Sequence, residues 1–142
     1  EGTALVPSFF NAKGSYDFKS YIPNGHTVEK IQNWKTQGAE IFYLTSRTTL
    51  DEIEIICSLL LKFNFPDSEN LFFRKENQQY KDVAEKLMPG VLIEDYCASI
   101  GGEIEMTYPH IRTELQQKIC SIIVKEFQGI AHLPNNVSDL IK

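Results

Sequence analysis

Four short apolar runs, spaced by segments of helical pattern, constrain the fold of this chain more than any other feature. They are "AEIFYL" (39–44), "NLFFRK" (70–75), "VLIED" (91–95) and "SIIVKEF" (121–127). A strand covered on one face alternates apolar and polar residues, whereas a strand covered on both faces reads as a continuous apolar run. The intervening segments carry the other period. In "PNGHTVEKIQNWKTQG", Val28, Ile31 and Trp34 fall on one helical face and Gly38 supplies a stop. Thr49 to Glu52, "TLDE", matches a capping box that opens a helix with Ile53, Ile56, Leu60 and Phe63 inward, ending where Pro66 forbids continuation. "YKDVAEKLMPG" is a short helix with Val83, Ala84 and Leu87 inward, "RTELQQKI" has helical spacing, and "NNVSDLIK" reads as a terminal helix. Strands alternating with helices predict an α/β fold, a parallel sheet with helices on both faces.

The segment 4–22, "ALVPSFFNAKGSYDFKSYI", breaks this rhythm and has no clean period. It is expected to be an irregular flap or a hairpin over one sheet edge. Its aromatics, among them Phe9, Phe10, Tyr16 and Phe18, either shape the entrance to a site or pack the flap itself.

Length and charge remove several function classes. A chain of 142 residues suits one domain, 1–142, with a real core. A net charge of −5 without clustered Lys and Arg gives nucleic acid no electrostatic footprint. "IICSLLLKF" is too short to span a bilayer and carries a Lys, so no membrane partner is expected. The cysteines, Cys57, Cys97 and Cys120, are scattered and odd in number. They form neither a zinc pattern nor a disulfide framework, which fits small half-buried side chains in a reducing, cytoplasmic compartment.

In open parallel sheets ligands bind where the strands end at their carboxyl edge. Thr45, Ser46 and Arg47 follow "IFYL", Glu94 and Asp95 end "VLIED", and Lys81 opens the helix before that strand. Glu1, Gly2 and Thr3 would follow a further strand lying upstream. Two adjacent carboxylates repel unless a cation lies between them. Oxygen ligands of this kind suit Mg²⁺, bound by one or two carboxylates together with substrate phosphate. A hydroxyl and an ammonium beside them suit the charge that builds up in phosphoryl transfer.

This order resembles that of the haloacid dehalogenase-like (HAD-like) phosphohydrolases across nearly the whole chain. "YLTSR" resembles the family's second motif, which places phosphate-binding Thr45, with Ser46 and Arg47 beside it. Lys81 resembles the third motif, and "VLIEDY" the fourth, which implies Mg²⁺ at Glu94 and Asp95. "EGT" resembles the tail of the first motif, Asp-x-Asp-Gly-Thr, with Glu1 in the place of the acid/base residue. The resemblance implies a three-layer Rossmann-like core and an aspartyl-phosphate intermediate. The nucleophilic Asp is expected two positions before Glu1, on a central strand upstream of it. Position 96 is Tyr and no acid stands at Ser99 or Ile100, so the implied metal ligands are Glu94, Asp95 and that upstream Asp. Since only the 4–22 flap separates the first two motifs, the resemblance is to minimal-cap members. Their sites are open to large substrates or closed by a neighbouring subunit of a homo-oligomer. The expected partner is a phosphorylated substrate.

Other parallel-sheet functions fit less well. A receiver domain places its Lys after the last strand, whereas Lys81 precedes Glu94. The Gly-x-Ser-x-Gly turn of serine hydrolases and the Gly-rich turn of dinucleotide-binding domains are both absent from the sequence. His26, His110 and His132 lie in loops without a spaced second ligand and are expected to make ordinary loop hydrogen bonds, although "TYPHI" follows the fourth motif closely. The alternative to an enzyme is a catalytically degenerate HAD-like domain serving as a binding or oligomerisation module.

Overall fold

The computed structural model describes residues 1–8 and 18–141. The chain is mixed α/β. Its elements are β1 (Leu5–Val6), β2 (Ile22–Pro23), α1 (Thr27–Thr36), β3 (Tyr43–Thr45), α2 (Leu50–Lys62), β4 (Leu71–Phe73), α3 (Tyr80–Leu87), β5 (Val91–Asp95), α4 (Thr113–Gln116), β6 (Cys120–Val124) and α5 (Val137–Leu140). β3 pairs in parallel with β4, and β5 in parallel with β6. Parallel neighbours need a crossover, which α2 supplies for the first pair and the α4 segment for the second.

β1 and β2 pair antiparallel, as the two ends of a hairpin would. The rest of the expected 4–22 flap, including Phe9, Phe10, Tyr16 and the Phe18 side chain, lies outside the described residues.

The one continuous parallel sheet expected from the sequence is not what these residues form. Among the described residues there are three two-stranded ladders, and none joins β3 to β5. Residues 1–3, which are not themselves a strand, reach Asp95 at the end of β5 and Ser46 just after β3 through their side chains.

The main core explains why the helices lie where they do. Ile31 and Trp34 of α1, Ile56, Leu59 and Leu60 of α2, and Phe65 pack with Val124, Ile130 and Leu140. Trp34 is 4% exposed, and its indole N–H donates to the Pro134 carbonyl at 3.0 Å, which satisfies the one polar atom that burial strands. β5 shows why its sequence is apolar throughout. Val91 and Ile93 pack against this main core, while Leu92 packs against a second cluster of Ala84, Ile111 and Ile119. Successive residues thus serve opposite faces of the strand.

Candidate functional site

The N-terminal tripeptide is fixed by the ends of both parallel pairs. The Thr3 hydroxyl donates to Asp95 Oδ2 at 2.8 Å, and the Phe127 N–H after β6 donates to the Gly2 carbonyl at 2.9 Å. Asn24 clamps the same segment, with its backbone N–H on the Ala4 carbonyl and its side-chain amide on the Thr3 and Phe127 carbonyls. Gly2 has φ +80°, and a Cβ there would lie 2.7 Å from Asp95 Oδ2, so glycine is required by both backbone and space. Glu1 is thereby carried to the end of β3. It accepts from Ser46 Oγ at 3.3 Å and pairs with the Arg47 guanidinium.

Burial raises the Glu1 carboxyl, while the Arg47 charge and the hydrogen bonds from Arg47 and Ser46 lower it. Arg47 also reaches Glu52 at 3.4 Å. This changes the capping box expected at α2. The Thr49 hydroxyl accepts the Glu52 N–H, but the Glu52 carboxylate serves Arg47.

Thr45 is 4% exposed, and its hydroxyl accepts the Arg47 N–H at 3.2 Å, closing the turn that aims residues 45–47 away from the strand. Asp95 is 5% exposed and has a second fixed partner, the Cys97 N–H on Oδ1 at 2.8 Å. Burial first, then the charge of Asp95 and its hydrogen bond, push the Cys97 thiol up to about 12, which leaves it inert.

Glu94 faces a different way. Its two oxygens accept the Thr107 and Tyr108 N–H groups at 2.7 and 2.8 Å. The "TYPHI" loop therefore does touch the acidic pair, through its backbone. His110 is exposed, and its Nε2 lies 3.0 Å from the Glu103 carbonyl, an ordinary loop hydrogen bond. His26 and His132 are exposed as well.

The structure thus brings together Glu1, Thr45, Ser46, Arg47 and Asp95. Lys81 stands in the first turn of α3, half-buried, and makes no ion pair among the described residues. No group of three His, Cys, Asp or Glu among the described residues is placed to hold a metal ion.

Three residues outside the predicted set also reach this edge. Thr3 and Asn24 fix the tripeptide, and Tyr80 is the α3 side chain that faces Ser46 and Glu1. Burial raises the Tyr80 phenol above its ordinary value, with Glu1 and Glu105 adding to the shift and Arg74 and Ser46 opposing it. Arg74 itself is the first residue after β4. The rule that ligands gather just past the carboxyl end of a strand points to it as directly as to Thr45. No family model matches the chain, and neither a curated protein nor a solved structure does so.

Proposed function

We propose that the chain is the core of a Mg²⁺-dependent phosphohydrolase of the HAD-like kind, with a three-layer Rossmann-like architecture. The observation that carries this reading is the convergence of Glu1, Thr45, Ser46, Arg47 and Asp95 where β3 and β5 end. Separate stretches of sequence, resembling three motifs of that family, meet at one edge.

In this reading the Thr45 and Ser46 hydroxyls and the Arg47 guanidinium bind the phosphoryl oxygens. Lys81 offsets the charge those oxygens gain as transfer proceeds. The Glu1 carboxyl moves the proton, giving it to the leaving alcohol oxygen in the first step and taking it back from the attacking water in the second. Attack on phosphorus by an Asp two residues before Glu1 forms an aspartyl phosphate and releases the alcohol, and water then cleaves the acyl phosphate to regenerate the carboxylate.

Mg²⁺, when bound, supplies charge neutralisation on the phosphoryl group. Asp95 and Glu94 would hold it together with the carboxylate of that Asp. The described acids alone do not complete such a set, because Glu94 is turned to Thr107 and Tyr108. That same observation favours the second reading, a degenerate domain that binds or oligomerises without turnover.

The test uses protein from the full reading frame and hydrolysis of p-nitrophenyl phosphate with Mg²⁺, with EDTA, and in Asp95→Asn. Turnover that needs metal and is lost in the folded variant supports the enzyme. No turnover, with a melting temperature indifferent to Mg²⁺, supports the degenerate domain.

A further inference from the structure

β4 and β3 run in parallel with Phe73 opposite Thr45. Arg74 and Ser46, the next residue on each strand, therefore leave the pair side by side. The Arg74 guanidinium lies over the Tyr80 ring, its carbon 4.2 Å from the ring centroid. Its Nε is buried and has no hydrogen-bond partner, and no ion pair joins Arg74 to a carboxylate among the described residues. The neighbouring cation Arg47 is bonded to Glu1 and Glu52, and the distant Arg112 is paired with Glu85 and Glu114. Among the described residues Arg74 lies on a ring and has no hydrogen-bond acceptor. The ring attracts its charge but takes none of its N–H protons. A buried donor in that condition takes its partner from water or from a ligand.

We propose that Arg74, seated on Tyr80, is a substrate-binding residue that takes a phosphate oxygen beside the 45–47 turn. This rests on the phosphohydrolase reading for its substrate class. The geometry selects the chemistry. With one face of the guanidinium covered by Tyr80, an acceptor must approach in the guanidinium plane, along the fork of N–H groups. An oxyanion presenting two oxygens matches that fork, and a Lys ammonium does not reproduce it. The Tyr80 phenol faces Ser46 and Glu1, so the seat also joins Arg74 to the rest of the site.

The experiment measures inorganic phosphate binding by calorimetry, using protein from the full reading frame, alongside p-nitrophenyl phosphate turnover. Arg74→Ala should raise the phosphate Kd by about tenfold or more. Arg74→Lys, which keeps the charge without the fork, should stay weakened. Arg112→Ala should bind within about twofold of the parent. If Arg74→Ala does not fold, Arg74→Lys carries the comparison.

Parental affinity in both Arg74 variants overturns the proposal, and if the parent still hydrolyses substrate the phosphohydrolase reading survives it. Arg74-dependent phosphate binding without turnover supports the proposal while hydrolysis falls. A parent that binds no phosphate overturns the proposal, and one that also fails to hydrolyse the substrate overturns the phosphohydrolase reading with it.

Discussion

Replacing Gly2 with alanine tests the contact that joins the N-terminal tripeptide to the acid ending β5. Gly2 has φ +80°, in the region where a side chain meets its own backbone. Any non-glycine residue there costs roughly 1–2 kcal/mol. The new methyl would also stand 2.7 Å from Asp95 Oδ2 and 3.2 Å from its Cγ. That carboxylate cannot swing aside freely, since it is buried and held by the Thr3 hydroxyl and the Cys97 N–H. Moving it forfeits a charge-assisted hydrogen bond, worth about 1.5–3 kcal/mol. The expected loss is therefore about 2.5–5 kcal/mol.

Gly25 is the matched control. It has φ +57°, but a Cβ there meets nothing within 4 Å. Its replacement by alanine should cost only the backbone term, about 1–2 kcal/mol. Urea unfolding followed by circular dichroism measures both, and the Asp95 contact appears as their difference. In an Asp95→Ala background the Gly2→Ala penalty should fall toward the Gly25 value, because the three atoms nearest the new methyl are gone. Equal penalties at Gly2 and Gly25 in the parent, or no relief in that background, would refute the reasoning.

Two further outcomes come from the charge arrangement. The Arg47 charge and hydrogen bond lower the Glu1 carboxyl only in the folded chain, so this pairing stabilises fully above the ordinary carboxylate range and fades as pH falls through that range. Arg47→Ala should accordingly cost more near pH 7 than near pH 3, by about 1 kcal/mol, in urea unfolding at each pH. An equal cost at both would mean that Glu1 is not paired as a carboxylate. The Cys97 thiol, pushed up to about 12, should react with iodoacetamide at least about a hundredfold more slowly in the native protein than in urea, read by mass spectrometry of its peptide. A native rate close to the urea rate would show an exposed, ordinary thiol.

How much of this was legible in the sequence depended on how local the deciding contacts were. β5 occupies Val91–Asp95, the limits of its apolar run, because two packed faces select that run residue by residue. "AEIFYL" yields a strand only from Tyr43 to Thr45. Ahead of it the Ile41 backbone is taken by side chains, its N–H by Asp67 and its carbonyl by Asn70. Those partners stand 26 and 29 residues away, where no pattern within the run could point. The run "SIIVKEF" likewise gives a strand ending at Val124, and Phe127 lies beyond it with φ +65°, outside strand geometry. The candidate site shows the same division. Thr45, Ser46 and Arg47 were visible from their place at the end of an apolar run. The partners that aim Asp95 and Glu94 were not, since Thr3 lies 92 residues from the first and Thr107 lies 13 from the second.

Those distant partners decide what binding at this edge must do to the protein. An ionised carboxylate has about four acceptor positions. The single hydrogen bonds on each oxygen of Asp95 and Glu94 therefore orient these groups without exhausting them. Asp95 is fixed locally by the Cys97 N–H and at a distance by the Thr3 hydroxyl, and Glu94 by the backbone of Thr107 and Tyr108; these distant donors are in place only when the fold is complete. In the unfolded chain Glu94 and Asp95 are neighbours in sequence without these distant donors to set their directions. A cation or an oxyanion that uses this edge must then bind the native state over the unfolded one, and must stabilise it in proportion to its concentration over its Kd. Binding and folding are linked here because the groups that orient the acids are tertiary neighbours, so a ligand that leaves the melting temperature unchanged is not using them.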